Sequence, residues 1–218
     1  MTTKGELTRE KILDEAARVF HRKGFLTTTI NDLLDATGTT KGNLYFHFAS
    51  KEKVGLEVLR RAQGAFGRFL DDALQGETPG ARLDSFFRHA MERNRSKGFV
   101  GGCLFGNTAL EACDNAPPFA ELASEVFAEW TGKLAETIRA AQASGQVRQD
   151  LPASDLAEMV VAAIEGGIMQ SRLQRDEGPL KRMFDSLRVL LELKHSRSEH
   201  QEKTNESDRH DCTGNGIT

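Results

Sequence analysis

Between residues 39 and 51 the chain gathers side chains suited to holding a polyanion. Thr39, Thr40, Lys41, Asn43, Tyr45 and His47 are hydrogen-bonding types, while Leu44 and Phe48, four apart, can point inward from one helix face. Thr40 can cap a short helix from Lys41 to about His47, and Ser50-Lys51 opens another. Helix starts leave N–H groups free for phosphate. Before them, Thr28 or Thr29 can cap a helix through Ala36, with Leu33 and Leu34 inward and a break at Thr37-Gly38-Thr39. A helix, a turn of about three residues and a second short helix is helix-turn-helix spacing. That unit lays its second helix in the DNA major groove, its N-terminal residues near base edges.

Charge agrees in direction. The chain has 218 residues and a formal net charge of −3, yet residues 1–61 hold eleven Lys/Arg against eight Asp/Glu. A basic first part on an acidic body suits a polyanionic partner for that part alone. Other chemistries lack their residues. No Ser/His/Asp set, phosphate-cradling glycine loop or His/carboxylate metal motif is present, so the chain is not expected to be an enzyme. Cys103, Cys113 and Cys212 form no CxxC pair, and His200, His210 and Cys212 match no metal-ligand spacing. No metal and no cofactor is expected. No apolar run reaches 18 residues, so no membrane span is expected. The first fifteen residues lack a signal-peptide core, which points to the cytoplasm.

The elements that must position these residues are helices. Residues 9–23 put Ile12, Leu13, Ala16, Val19 and Phe20 largely on one stripe before Gly24. Ser50 caps a long helix to about Gln75. Thr78 with Pro79 starts one over 79–97, and Gly98 to Gly102 breaks it. A short helix over 103–113 and one from Pro117 to about Ser144 follow, then 154–175 and 180–194. No strand-type alternation appears, so the predicted fold is all-α. Residues 1–54 would form the DNA-binding domain and 55–194 a larger helical domain. The polar stretch 195–218 would be a disordered tail, for want of core-forming side chains.

The stretch TTINDLLDATGTTKGNLYFHFASKEKV, residues 28–54, resembles the N-terminal signature of the TetR family of transcriptional regulators. Thr28, Thr29, Ala36, Gly38, Lys41, Gly42, Leu44, Tyr45, Phe48, Lys51 and Glu52 match it. Thr39-Thr40 stands where the family commonly has Val-Ser, and Asn43 where it has Thr or Ser. The resemblance implies a nine-helix fold and a homodimer on double-stranded operator DNA, most simply a repressor released by a small-molecule inducer. It implies that Thr28, Thr40, Tyr45 and Lys51 hold phosphates, and that Thr39, Lys41, Gly42, Asn43 and His47 lie over or in the groove. His47 can equally cap or pack.

It further implies a dimer built from the last two helices, with Leu156, Val160, Ile164, Ile168, Met183, Leu187 and Leu190 as seam candidates. Those apolar stripes can instead fill the subunit's own core. Pocket candidates are Phe66, Phe69, Phe86, Phe87, Cys103, Phe105, Trp130, Ile168 and Met169; no excess of Lys or Arg among them declares an anionic ligand. The segment from Gly101 to Cys113 resembles one in family members that sense electrophiles or oxidants through the corresponding cysteine. At a helix start after two glycines, Cys103 would be approachable and biased toward thiolate; its other reading is a small buried hydrophobe. A helical interaction module without DNA binding is the remaining alternative.

Overall fold

The computed structural model describes residues 3–112 and 114–194. Expectations for Cys113 and for residues 195–218, including His200, His210 and Cys212, lie outside the described residues.

Among the described residues there are nine α-helices and no strand. They are α1 (Lys4–Lys23), α2 (Ile30–Thr37), α3 (Lys41–His47), α4 (Lys51–Ala73), α5 (Pro79–Arg95), α6 (Leu104–Ala112), α7 (Pro117–Ala143), α8 (Ala153–Gln174) and α9 (Gly178–Leu190). Helix α1 begins five residues before the predicted segment 9–23 and eight before Ile12, the first residue of the apolar stripe. Its first turn is polar and is held by a capping box, Thr3 and Glu6 bonding each other's backbone N–H. Thr29, Thr40, Ser50 and Thr78 each accept from the N3 backbone N–H of the helix they open. Gly38 ends α2 in the left-handed conformation, with φ 64°, and so sets the turn into α3.

Two apolar clusters hold the molecule. One joins α5, most of α7, α8, α9 and the end of α4 around Phe86, Phe87, Leu134, Ile138, Leu156 and Ile164. The other joins α1 to α3 and the first half of α4 to Phe105, Ala112, Phe119, Leu122 and Val126 of α6 and α7. The second cluster therefore crosses the expected boundary at residue 54, which falls inside α4. Gly55 makes the crossing possible. A Cβ there would stand 2.6 Å from the Phe25 ring and 3.0 Å from Phe119, so only glycine lets both rings close on α4.

The stripe predicted as a subunit seam divides. Leu156, Val160, Ile164 and Leu187 are buried in the chain's own core instead. Ile168 and Met183 pack against that core half-buried, and Leu190 alone keeps the predicted outward place. The reason is that α8 is apolar on two sides. α7 and α9 both pack on it, covering one stripe. The other, Ala162, Gly166, Met169 and Leu173, shares a face at helical spacing, with Met169 61% and Leu173 82% exposed.

Candidate DNA-binding surface and effector cavity

The candidate DNA-facing surface rests on a seven-residue helix with one inward anchor. Leu44 is buried under α3, and Phe48 is buried just past its end. That pins one side and turns Lys41, Gly42, Asn43, Tyr45 and Phe46 outward. Thr40 Oγ1 accepts from Asn43 N at 3.3 Å, and Asn43 Nδ2 donates to Thr39 Oγ1 at 2.8 Å. Thr39, Thr40 and Asn43 thus stand as one braced polar cluster at the helix start. His47 is half-buried, its ring 5.1 Å from that of Phe46. Phe46 is 82% exposed and went unread in the sequence. It lies two positions past Leu44, about 200° around the helix, and that spacing was the available signal.

Two predicted phosphate ligands are placed otherwise. Thr28 is buried, and its hydroxyl donates to Gly24 O at 2.5 Å, so it is corrected to a loop brace. Lys51 Nζ donates to Thr28 O at 2.9 Å, Phe25 O at 3.1 Å and Leu26 O at 3.4 Å, and sits 4.6 Å over the Phe25 ring. An ammonium has three N–H bonds, and all are taken. Lys51 ties the α1–α2 loop to α4 and leaves no donor for phosphate. Sequence reasoning missed this because the three carbonyls lie 23 to 26 residues away.

Behind this unit lies a cavity of about 370 Å³ walled by α1, α4, α5, α6, α7, α8 and the turn before α6. Phe66, Phe69, Phe86, Cys103, Phe105, Trp130 and Ile168 line it as predicted. Phe87 and Met169 do not. Phe87 is buried against Phe184, ring centroids 5.2 Å apart, and Met169 points outward from α8. Ile164, expected at the seam, is in the wall instead. Trp130 meets the Phe66 ring edge-on at 5.4 Å, and its Nε1 has no acceptor among the described residues.

The lining carries charge that the sequence did not declare. Arg18, His21, Arg93, Lys97 and Glu165 all reach the wall. They come from α1, α5, the turn after α5, and α8, so no single segment of sequence displays them together. Burial holds Arg93 and Lys97 below their ordinary pKa values, with Arg93 also lowering Lys97. His21 is lowered by burial first and then by the nearby charges of Lys97, Arg172 and Arg93. Glu165 is raised by burial, and its Oε1 has no donor among the described residues. The Cys103 thiol is pushed up to about 12 by burial and then by the charge of Glu165. The predicted bias toward thiolate is therefore reversed: the backbone N–H groups of Gly106 and Phe105 do favour the anion, but they are outweighed.

The cavity touches the DNA-binding unit directly. His21, in the last turn of α1, has Nε2 3.0 Å from Gly102 O, in the turn that leads to Cys103. Gly101, at φ 83°, lies against the His21 ring so closely that a Cβ has no space. At the far end of α6, Glu111 Oε2 accepts from Leu26 N at 3.3 Å in the loop before α2. α6 therefore runs from the cavity wall to the helix-turn-helix.

Comparison with known proteins matches this geometry to a family. Residues 12–58 match a family model described as bacterial regulatory proteins, tetR family, and residues 79–187 match one described as tetracyclin repressor-like, C-terminal domain. The transcriptional regulator AcuR of Cereibacter sphaeroides is 31% identical over 176 residues, covering 80% of each chain. The transcriptional repressor DhaR of a Mycobacterium species is 26% identical over 174 residues, covering 79% of this chain and 86% of its own. Among solved structures, a TetR transcriptional regulator from Chloroflexus aurantiacus superposes with TM-score 0.78 at 30% identity, covering 85% of this chain and 94% of its own. The chain belongs to the TetR family of DNA-binding transcriptional regulators, not to a family of enzymes.

Proposed function

We propose that the protein is a homodimeric repressor that leaves its operator when a small molecule occupies the cavity. The observation that carries this reading is the shared wall: His21 of α1 and Cys103 at the start of α6 line one cavity. An occupant that moves the Gly101-Gly102 turn must move α1 or break the His21 contact, and α1 carries the core on which α2 and α3 rest. A hundredfold loss of operator affinity needs only about 2.7 kcal/mol of difference between the two states. Thr39, Thr40, Lys41, Gly42, Asn43, Tyr45 and Phe46 would meet DNA, with His47 at the edge of that surface. Modification of Cys103 is the less supported switch, since its protonated thiol is a poor nucleophile.

The second copy would seat on the outward faces of α8 and α9, where Met169, Leu173, Val189 and Leu190 are exposed. Gly166, with nothing within 4 Å of a Cβ placed on it, leaves room for close helix approach. A two-fold dimer would address half-sites about 34–36 Å apart, or a multiple of that. The test is capture and sequencing of genomic fragments bound by the protein, then a salt-dependent gel shift on the recovered site. A palindromic site, bound with log affinity falling linearly against log salt, supports the reading. Binding without sequence preference would sink it. For the dimer, Leu173→Glu with Val189→Glu should give a folded monomer in ultracentrifugation that has lost tight operator binding.

A further inference from the structure

We propose that the cavity's effector is an amphiphilic organic anion, its head group held by Arg93 and Lys97 and its apolar body against Phe66, Phe69 and Phe86. The inference rests on the effector reading above and names the chemical class that the site would take.

Among the described residues neither Arg93 nor Lys97 has a carboxylate within ion-pair distance, although both reach the wall of an aromatic cavity. The other cations nearby are engaged. Arg18 pairs with Glu15 at 2.7 Å, and Arg172 Nη1 donates to Asn107 Oδ1 at 3.0 Å. Arg93 is half-buried, and a cation partly withdrawn from water without a counter-charge is costly, a cost that an entering anion would relieve; Lys97 is exposed and adds its charge at the wall. Burial lowers the pKa of both groups, as expected for cations lacking a partner.

Geometry gives the same direction. The Arg93 Cζ lies 4.7 Å from the Phe69 ring centre and 5.9 Å from that of Phe66. A guanidinium set over aromatic rings keeps its in-plane N–H fork for a carboxylate or phosphate. No side-chain hydrogen bond of Arg93 or Lys97 uses those donors among the described residues. The same rings supply the apolar surface on which the rest of the molecule would lie. The cavity's one carboxylate, Glu165, forms no ion pair with Arg93 or Lys97 among the described residues. At about 370 Å³ the space suits a body of drug-fragment size.

The test uses four probes with one tail: octanoate, octyl phosphate, octan-1-ol and octylammonium. Binding to the free full-length protein is followed by fluorescence of Trp130, the chain's single tryptophan. The expected result is that octanoate, octyl phosphate or both bind at least tenfold tighter than octan-1-ol. In Arg93→Gln with Lys97→Gln that preference should vanish, while octan-1-ol affinity shifts less than about threefold. Lys97→Gln alone should narrow the preference, which keeps the proposal open to refutation should the double variant misfold. Equal binding of octan-1-ol, tighter binding of octylammonium, survival of the preference in the variants, or no anion binding at millimolar concentration would each overturn the proposal. If octanoate binds with this dependence yet leaves the operator complex intact, the head-group chemistry stands and the effector reading fails.

Discussion

The candidate DNA-contacting helix and the cavity arrange polar groups in opposite ways. α3 is seven residues long, its single buried residue is Leu44, and its polar side chains stand in water. The cavity draws its charged groups from distant segments and holds them against Phe66, Phe69, Phe86 and Trp130. At the helix each hydrogen bond formed with DNA replaces one formed with water, so single contacts carry little stability. In the cavity His21, Arg93 and Glu165 are half-buried, so changes to them alter folding as well as binding. Surface substitutions should therefore separate affinity from stability, and cavity substitutions should not.

The largest effects should come from the anchors beneath each site. Phe86→Ala removes a ring that is buried between the cavity and the core and should cost about 3–5 kcal/mol in urea unfolding. Leu44→Ala should cost about 2–5 kcal/mol and abolish DNA binding, because α3 has no other inward residue within its length. If Leu44→Ala melts like wild type, α3 is positioned by its caps rather than by its anchor.

Lys51→Ala comes next and tests which side of the comparison that residue belongs to. Loss of three carbonyl partners should destabilise by about 1–3 kcal/mol. The slope of log affinity against log salt should stay unchanged. Unchanged stability with a slope smaller by roughly one unit would restore the phosphate role. A smaller effect again is expected at Phe46. Phe46→Ala should leave stability within about 0.5 kcal/mol and weaken operator binding roughly tenfold, or about 1.4 kcal/mol. Equal DNA affinity would show that α3 enters DNA with Phe46 turned away.

The difference between the sites also explains what the sequence could disclose. The helix-turn-helix was legible because its logic is local: Thr29, Gly38, Thr40 and Ser50 act within four residues of themselves. Helix positions were legible for the same reason, except the polar start of α1. The cavity's aromatic members were partly legible as apolar positions, but Arg93, Lys97 and Glu165 were not. Each looks like an ordinary charged position, Arg93 and Glu165 on helices and Lys97 in the turn after α5, and only tertiary packing turns them to one space. The outward stripe of α8 was misread because both of its stripes are apolar, and periodicity cannot say which one α7 and α9 will cover. Thr28 and Lys51 were misassigned because the carbonyls they serve are invisible as letters.

The finest contrast lies at Cys103, half-buried on the cavity wall. With its pKa pushed up to about 12, the thiolate fraction at pH 7.5 is roughly three thousand times below that of an ordinary thiol near 8.5. The greater intrinsic nucleophilicity of a more basic thiolate returns about thirtyfold. Alkylation by iodoacetamide, followed by peptide mass mapping, should thus be roughly a hundredfold slower at Cys103 than at an exposed thiol. Its rate should keep rising about tenfold per pH unit beyond pH 9, where an ordinary thiol has levelled off. The linkage has a definite sign. The folded protein keeps a proton that the unfolded chain releases near its ordinary value, so this group's stabilising contribution is full below about pH 8 and falls as pH rises toward 12. Glu165→Gln removes the neighbouring carboxylate charge and should speed the reaction by lowering the thiol's pKa. A Cys103 that reacts at pH 7.5 as fast as a free thiol, with a midpoint below about 8.5, would overturn the placement of its charge environment and return the residue to the role of a sensor.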